Sequence, residues 1–319
     1  MVRPELRHDS SSQMVMEHKI SGEVPKVSVG LPVYNAEHYL DDTLRNLLGQ
    51  SYRDFELIIS DNASTDATEE ICRDHAAKDR RIIYHRNNRN MGIAWNHNRV
   101  FHLSSGEFFM WASHDDVRTT DYISQCVAAL EADPRKVLAF SKVEFIDEEG
   151  TGLEKQGISL KTDAQKPHER FRELIRMDYT CEAMYGLIRT AVLKRTALHG
   201  PYPDSDRVLL AELGLHGQFI RAHNITFYRR SRTQKIYPSR QERVSLFNPA
   251  RAGRIAFPYF REYGEYLSAI KRAPLIAYER MHCYLLMQRW AWVNRRCLTS
   301  DVHHCLDQIA KGMLSRGSR

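Results

Sequence analysis

From Lys26 onward, short β-branched or apolar runs alternate with segments of helical spacing, a rhythm that a β-α-β series satisfies and an all-helical or all-β chain does not. Val27 to Val33 is a β-branched run; Leu40, Leu44, Leu47 and Leu48 then recur at helical spacing, and Phe55 to Ser60 is the next buried strand. Asp66, with Glu69 three residues on and Ile71 after it, predicts a capping box opening a helix. Arg81 to His85 is a third strand, Gly92 to Leu103 a helix, and Glu107 to Ser113 a fourth strand ending in His114, Asp115 and Asp116. A helix over 121–132 and a strand over 137–146 follow, then helices over 168–177 and 206–216. The fold class is α/β with a mostly parallel sheet. Ligands of such sheets sit beyond the carboxyl ends of the strands, where this chain places its Asn, Asp and Ser clusters. The aromatic and basic segments after Ser245 carry helical spacing and no strand signal.

Composition narrows the class. With 42% hydrophobic and 27% charged residues, the 319-residue chain is a globular protein and not a disordered or collagen-like one. Its six cysteines contain no C-x-x-C pair, so neither a disulfide framework nor a zinc ribbon is indicated and reduced, cytoplasmic thiols are expected. Residues 1–25 lack an apolar stretch of signal-peptide type and read as a mobile leader. No apolar run approaches the ~18 residues that span a bilayer, so a soluble protein or one peripheral to the inner face of a membrane is expected. The net charge of +6 is uneven: between Arg221 and Arg254 nine basic residues meet one acid, Glu242, a stretch suited to an anion or to a solvated face.

Several constellations carry chemistry, each beside a plainer reading. Asp61 and Asn62 could hydrogen-bond a base or ribose, or serve only as a turn. Asp115 and Asp116 offer hard oxygen ligands of the kind that bind Mg²⁺ or Mn²⁺ with substrate phosphates, or an N-cap for the helix near Asp121. His114 is a ligand or a hydrogen-bonded structural histidine. Asp204 and Asp206 precede an amphipathic helix, where a carboxylate suits both a cap and a poised base. Trp290 and Trp292, beside Arg289, Arg295 and Arg296, suit core packing, a membrane surface or stacking on nucleic acid. His303, His304 and Cys305 are adjacent and not spaced for zinc.

Taken together, KVSVGLPVYNAEHYLDDTLRNLLGQSYRDFELIISDNASTD, NRNMGIAWNHN and GEFFMWASHDD resemble the N-terminal half of family 2 inverting glycosyltransferases of the GT-A fold. The resemblance covers Lys26 to about Leu130 strongly and continues more weakly to about Arg232. It implies a Rossmann-like central sheet flanked by helices, a catalytic domain over 26–240 and an appended helical region over 241–319. It also implies a nucleotide-diphospho-sugar donor and a hydroxyl acceptor on a glycan, glycolipid or small molecule. Pro32, Val33, Tyr34 and Asn35, with Glu37 following, would line the nucleotide pocket, and Asp61 would meet the base beside Asn62. Asn90, Gly92 and Asn96 would shape the pocket wall. The family's D-x-D motif falls on Ser113, His114 and Asp115, so its first acid is missing. Asp115, with Asp116 beside it, would hold Mg²⁺ or Mn²⁺, and the substitution leaves strict metal dependence open. The family's base falls on Asp206, and diphosphate contact passes to Arg229, Arg230 or Arg232. The alternative is a catalytically inactive nucleotide-sugar or anion-binding module; nucleic-acid binding has no recognisable motif behind it.

Overall fold

The structure, a computed structural model, describes residues 24–156, 161–231, 239–252 and 256–317. The leader up to residue 23 and the diphosphate candidate Arg232 lie outside them.

Among the described residues nine strands form one sheet: β1 (Val27–Val33), β2 (Phe55–Asp61), β3 (Ile82–Arg86), β4 (Phe108–Trp111), β5 (Val117–Arg118), β6 (Lys136–Ile146), β7 (Gly152–Gln156), β8 (Leu187–Arg189) and β9 (Gln218–Arg230). The order is β3-β2-β1-β4-β8-β6-β9-β5, with β7 added beside β6. β1, β2, β3 and β4 pair in parallel, and β6 and β9 share their direction because the short β8 between β4 and β6 runs antiparallel to both. β5 and β7 also run against the rest. The expected mostly parallel sheet is therefore found, with three short opposed strands, of which β5 and β8 carry too few residues to show as sequence patterns and β7 too few apolar ones. The strand expected over 107–113 is shorter, Phe108–Trp111.

Helices cover both faces: α1 (Glu37–Leu48), α2 (Thr68–Lys78), α3 (Ile93–His102), α4 (Tyr122–Glu131), α5 (Pro167–Leu174), α6 (Thr190–Leu193), α7 (Ser205–His216), α8 (Arg240–Phe247), α9 (Pro258–Arg272), α10 (Ala277–Val293) and α11 (Arg295–Gly317). On one face Val27, Val29, Leu31 and Val33 of β1 alternate inward against Leu40, Leu44 and Leu47 of α1 and Ile123 and Val127 of α4. On the other face Phe109 and Trp111 meet Val100 and Phe101 of α3. Gly30 lets α3 come close: a Cβ there would stand 2.7 Å from both Val100 and Phe109. The second core continues without a break through Phe171, Leu174, Leu209 and Leu213 to Tyr266, Ile270, Met287 and Trp290 of α9 and α10. The C-terminal helices thus complete the same core. Trp290 is buried and its indole N–H donates to the Ile175 carbonyl at 2.9 Å, while Trp292 is 71% exposed. No described helix is long and apolar enough to cross a membrane.

The expected capping box does not form. α2 begins at Thr68, and Asp66 instead divides its oxygens between the Thr68 N–H at 3.1 Å and the Glu37 N–H at 3.2 Å. Glu69 turns away to pair with Arg73 and Arg86. The cap is completed from a distance, by the Glu37 carboxylate accepting from the Ala67 N–H at 3.0 Å, which local spacing cannot reveal.

Candidate active site

The carboxyl ends of β1, β2, β3 and β4 lie along one edge of the sheet, and the candidate residues gather there. Tyr34, 45% exposed, follows β1 with its ring open to solvent. Asn35 comes next in left-handed backbone, φ 48°, and its side-chain carbonyl accepts from the Thr65 N–H at 2.9 Å. Ala63 has φ 64° and Asp204 φ 63°. Such backbone costs of order 1 kcal/mol or more for a residue other than glycine, and it concentrates where structure serves a site.

Asp61, at the end of β2, is fully buried, and each lone pair of its carboxylate has a donor. Oδ1 accepts from the Ser64 N–H at 2.8 Å and the Ser64 hydroxyl at 2.6 Å; Oδ2 accepts from the Tyr84 hydroxyl at 2.9 Å and Arg86 at 2.6 Å. Arg86 also donates to the Ser64 carbonyl at 2.9 Å, so the ion pair ties the end of β3 to the loop after β2. Asp61 therefore orders the loop that Asn35 and Glu37 grip from the other side.

Asn62 and Asn96 are buried and linked through the Asn87 amide, which donates to both, and the exposed Asn90 joins this network at its edge. Asn62 donates to the Asn90 side chain at 2.8 Å and accepts from the Met91 N–H at 2.9 Å. Asn96 donates to the Ser60 carbonyl at 2.8 Å and accepts from the Ser60 hydroxyl at 2.6 Å. These residues hold the pocket wall in shape. Gly92 has φ +92°, and a Cβ on it would stand 2.6 Å from the Phe247 carbonyl oxygen, so α8 closes directly over this loop.

The turn after β4 carries the acidic pair. The Ser113 hydroxyl donates to Asp115 at 2.5 Å, and the His114 carbonyl accepts from Thr43 at 2.8 Å. Asp116 is buried and accepts from the Arg230 N–H at 3.0 Å. Burial, reinforced by the neighbouring Asp115 charge, pushes its carboxyl up to about 7. Neither acid caps α4, whose N-cap is Asp121. Arg230 spends its donors on the carbonyls of Asp115, Asp147 and Glu148 and lies over the Tyr39 ring at 4.5 Å. Arg229 is ion-paired with the buried Glu182. Both arginines thus brace this edge through groups of the chain itself. Among the described residues no three His, Cys, Asp or Glu side chains converge as a metal site. The oxygen donors of Asp115 and its turn suit a hard cation that draws its remaining ligands from phosphate and water, as Mg²⁺ does, and not one held by protein alone.

α7 begins at Ser205, one residue before the expected start, with Asp204 at the N-cap. The structure corrects the expectation of a capping acid here: neither side chain caps the helix, and Asp204 is paired with Arg243 of α8 at 2.9 Å. Asp206 is half-buried in the first turn; burial, then the Asp204 charge, raises its carboxyl above the usual range against the pull of the Arg207 N–H at 2.9 Å. Tyr185, whose ring stacks on Phe227 at 5.4 Å, feels the charge of both acidic groups. Burial raises its phenol first, and the charges of Asp116, Asp206 and Asp115 raise it further while Arg229 opposes them. A cleft of about 1300 Å³ opens beside this point, lined by Tyr179, Glu182, Phe145, Leu153, Phe219 and Arg221 among others.

Tyr185, Glu182 and Arg86 escaped the sequence reading, although a basic residue closing the third strand was a readable sign for Arg86. Glu262 of α9 escaped it too. It accepts from the Tyr266 hydroxyl at 2.9 Å with Arg207 at 3.9 Å, and burial pushes its carboxyl up to about 7. A raised folded-state value means stability that is full below the ordinary 4.5 and lost as pH rises through 7. Glu262→Gln removes that ionisation, so relative to wild type the variant is expected to gain about 3 kcal/mol between pH 4.5 and pH 8. Denaturant titrations at the two pH values test this, and a constant difference between the proteins would refute it.

The fold has known counterparts. The model of the family described as Glycosyl transferase family 2 matches residues 28–197, more than half of the chain. The chain belongs to glycosyl transferase family 2. Within that family it is 32% identical over 131 residues to a protein described as an uncharacterized glycosyltransferase of Methanocaldococcus jannaschii, covering 40% of this chain and 45% of that one. It is 34% identical over 98 residues to the glycosyltransferase GlyA of Streptococcus pneumoniae, covering 31% and 14%. The chain thus spans less than half the length of these curated relatives. Among solved structures, TarS 1–349 of S. aureus in complex with UDP aligns with TM-score 0.59 and 16% identity, over 82% of this chain and 69% of that one. Its complex with UDP-GlcNAc aligns with TM-score 0.60 and 17% identity over 82% and 70%. These likenesses agree with the GT-A fold expected of a family 2 glycosyltransferase.

Proposed function

We propose that this glycosyl transferase family 2 chain moves a sugar from a nucleoside diphosphate to an acceptor hydroxyl with inversion at the anomeric carbon. The observation that supports this most is the gathering of Tyr34, the Asp61 loop and the Asp115–Asp116 turn at one edge of the sheet in a chain of this family, with the charges of Asp116 and Asp206 both acting on the Tyr185 phenol. Asp206 takes the proton from the acceptor oxygen as that oxygen bonds to the anomeric carbon, and the bond to the diphosphate oxygen breaks with its electron pair leaving on the nucleotide. A base with a raised proton affinity suits this step, because proton transfer to it is better driven. Tyr34 offers an open ring beside which a nucleobase packs, on a loop held by Asn35, Glu37 and Asp61. Asp115 is the residue that would hold Mg²⁺ or Mn²⁺, which when bound supplies neutralising charge for the diphosphate. The cleft along β6 and β9 reaches Glu182 and has room for a glycan, glycolipid or small-molecule acceptor.

Thermal melting with UDP, GDP, dTDP and CDP, each with and without Mn²⁺, tests the reading. TarS is described in complex with UDP and with UDP-GlcNAc, so uridine is the first base to try. A diphosphate at a hundred times its Kd stabilises by about 2.7 kcal/mol, an upward shift of roughly 5 °C. Asp115→Ala is expected to abolish the Mn²⁺-dependent part. The absence of any shift with all four nucleotides would overturn the proposal; a shift without transfer to any acceptor would favour the inactive binding module.

A further inference from the structure

α10 is apolar on two opposite faces, and only one of them is covered. Glu279, Cys283, Met287 and Trp290 lie on the buried side against α5 and α9. Tyr278, Met281, Leu285 and Trp292 recur at helical spacing on the other side, with exposures of 52, 54, 53 and 71%. Ile276 at the N-cap and Val293 at the last residue of the helix are exposed as well, at 69 and 63%. A helix that is hydrophobic all round belongs in a core or against lipid, and a contiguous exposed apolar face marks an interaction surface.

Charge selects the occupant. Arg289 falls on the exposed stripe, and Arg295 and Arg296 follow directly at the start of α11, all three exposed. The Arg295 guanidinium stacks on the Trp292 ring at 4.9 Å. Between Tyr266 and Leu306 the chain holds two acids, Glu279 and Asp301, and both are buried: Glu279 accepts from His168 at 2.6 Å, and Asp301 accepts the first N–H groups of α9. The charge that this segment itself exposes beside the apolar stripe is therefore positive. Two copies meeting through this face would set arginine against arginine, whereas an anionic surface meets both the charge and the apolar side chains. A tryptophan with an apolar ring and a polar N–H beside arginines is the usual composition of a helix lying in a bilayer interface.

We infer that the exposed face of α10, with Tyr278, Met281, Leu285 and Trp292 as the inserted side chains and Arg289, Arg295 and Arg296 as headgroup ligands, docks the protein onto an anionic lipid surface. This inference is independent of the transferase reading, because membrane binding needs none of the residues at the sheet edge.

The test is flotation of the full chain with vesicles of phosphatidylcholine alone or containing a third phosphatidylglycerol, at low and high salt. Binding is expected to the anionic vesicles only, and to weaken at high salt. Arg289→Gln, Arg295→Gln and Arg296→Gln combined are expected to weaken it about a hundredfold. Leu285→Ser with Trp292→Ser is expected to weaken it comparably with no change in Tm, since both side chains are already solvated. Asp206→Asn is the control that should bind as wild type does. Equal binding to neutral and anionic vesicles, binding that survives both sets of substitutions, or no binding at all would overturn the proposal. So would a concentration-dependent dimer, in sedimentation, that the Leu285→Ser and Trp292→Ser protein fails to form, because that result assigns the face to a second copy.

Discussion

Asp206→Asn is expected to lower transfer by about three orders of magnitude, within the range a general base contributes. Asn keeps the shape and the acceptor oxygen for the Arg207 N–H but cannot take a proton at neutral pH. Two companion readouts separate loss of the base from loss of structure. Nucleoside diphosphate should stabilise the variant as it does wild type, because Asp206 lies on α7 and not on the loops that hold the nucleotide. Wild-type transfer should also decline on the acid side at higher pH than an ordinary carboxylate would impose, since burial and the Asp204 charge raise the Asp206 carboxyl and the base works only when ionised. Residual transfer above a tenth of wild type would exclude Asp206 as the base.

The second large effect concerns stability. Asp61→Ala removes the acceptor of four hydrogen bonds and leaves Arg86 without its 2.6 Å partner at a buried site. Breaking such a pair from one side costs about 3–5 kcal/mol. Arg86 keeps a third of its side-chain surface and a second partner, Glu69, so the lower end, about 3 kcal/mol, is expected. That corresponds to a fall in Tm of roughly 5 °C. Replacing both partners, Asp61→Ala with Arg86→Met, should recover part of the loss, because no charge is then left unpaired. If Asp61→Ala melts within 2 °C of wild type, the pair contributes little and Asp61 is free for a role at the nucleobase alone.

The sequence pattern revealed the α/β class and the elements around the site because parallel strands are buried on both faces and read as plain apolar runs. Val27–Val33 was found to the residue. β5 and β8 escaped, being two and three residues long and too short to show a period, and β7 escaped because its five residues, GLEKQ, hold a single apolar side chain. The sheet edge that carries the candidate site was legible, since Asn, Asp and Ser close the strands. The duties of its residues were less so. Asn62, Asn90 and Asn96 look like ligand-binding groups in a linear reading, and only the fold brings them together as partners for one another. Arg229 and Arg230 are likewise engaged by Glu182 and by carbonyls of distant segments. Tyr185 and Glu262 carry no local signal, because their proximity to Asp206 arises from helix packing across more than twenty and more than fifty residues of chain.

That packing bears on how the protein comes apart. α7 is pressed between α5 and α9, and its inward side chains share a core with Tyr266, Met287 and Trp290. The Asp204–Arg243 pair and the contact of Phe247 over Gly92 add two clasps from α8, one at each side of the site. The C-terminal third thus backs the half of the chain that carries the candidate site. Fraying of these helices would loosen the segment bearing Asp206 before it disturbed β1 to β3, so heat or proteolysis acting on the tail would silence turnover while much of the nucleotide-facing sheet still stood.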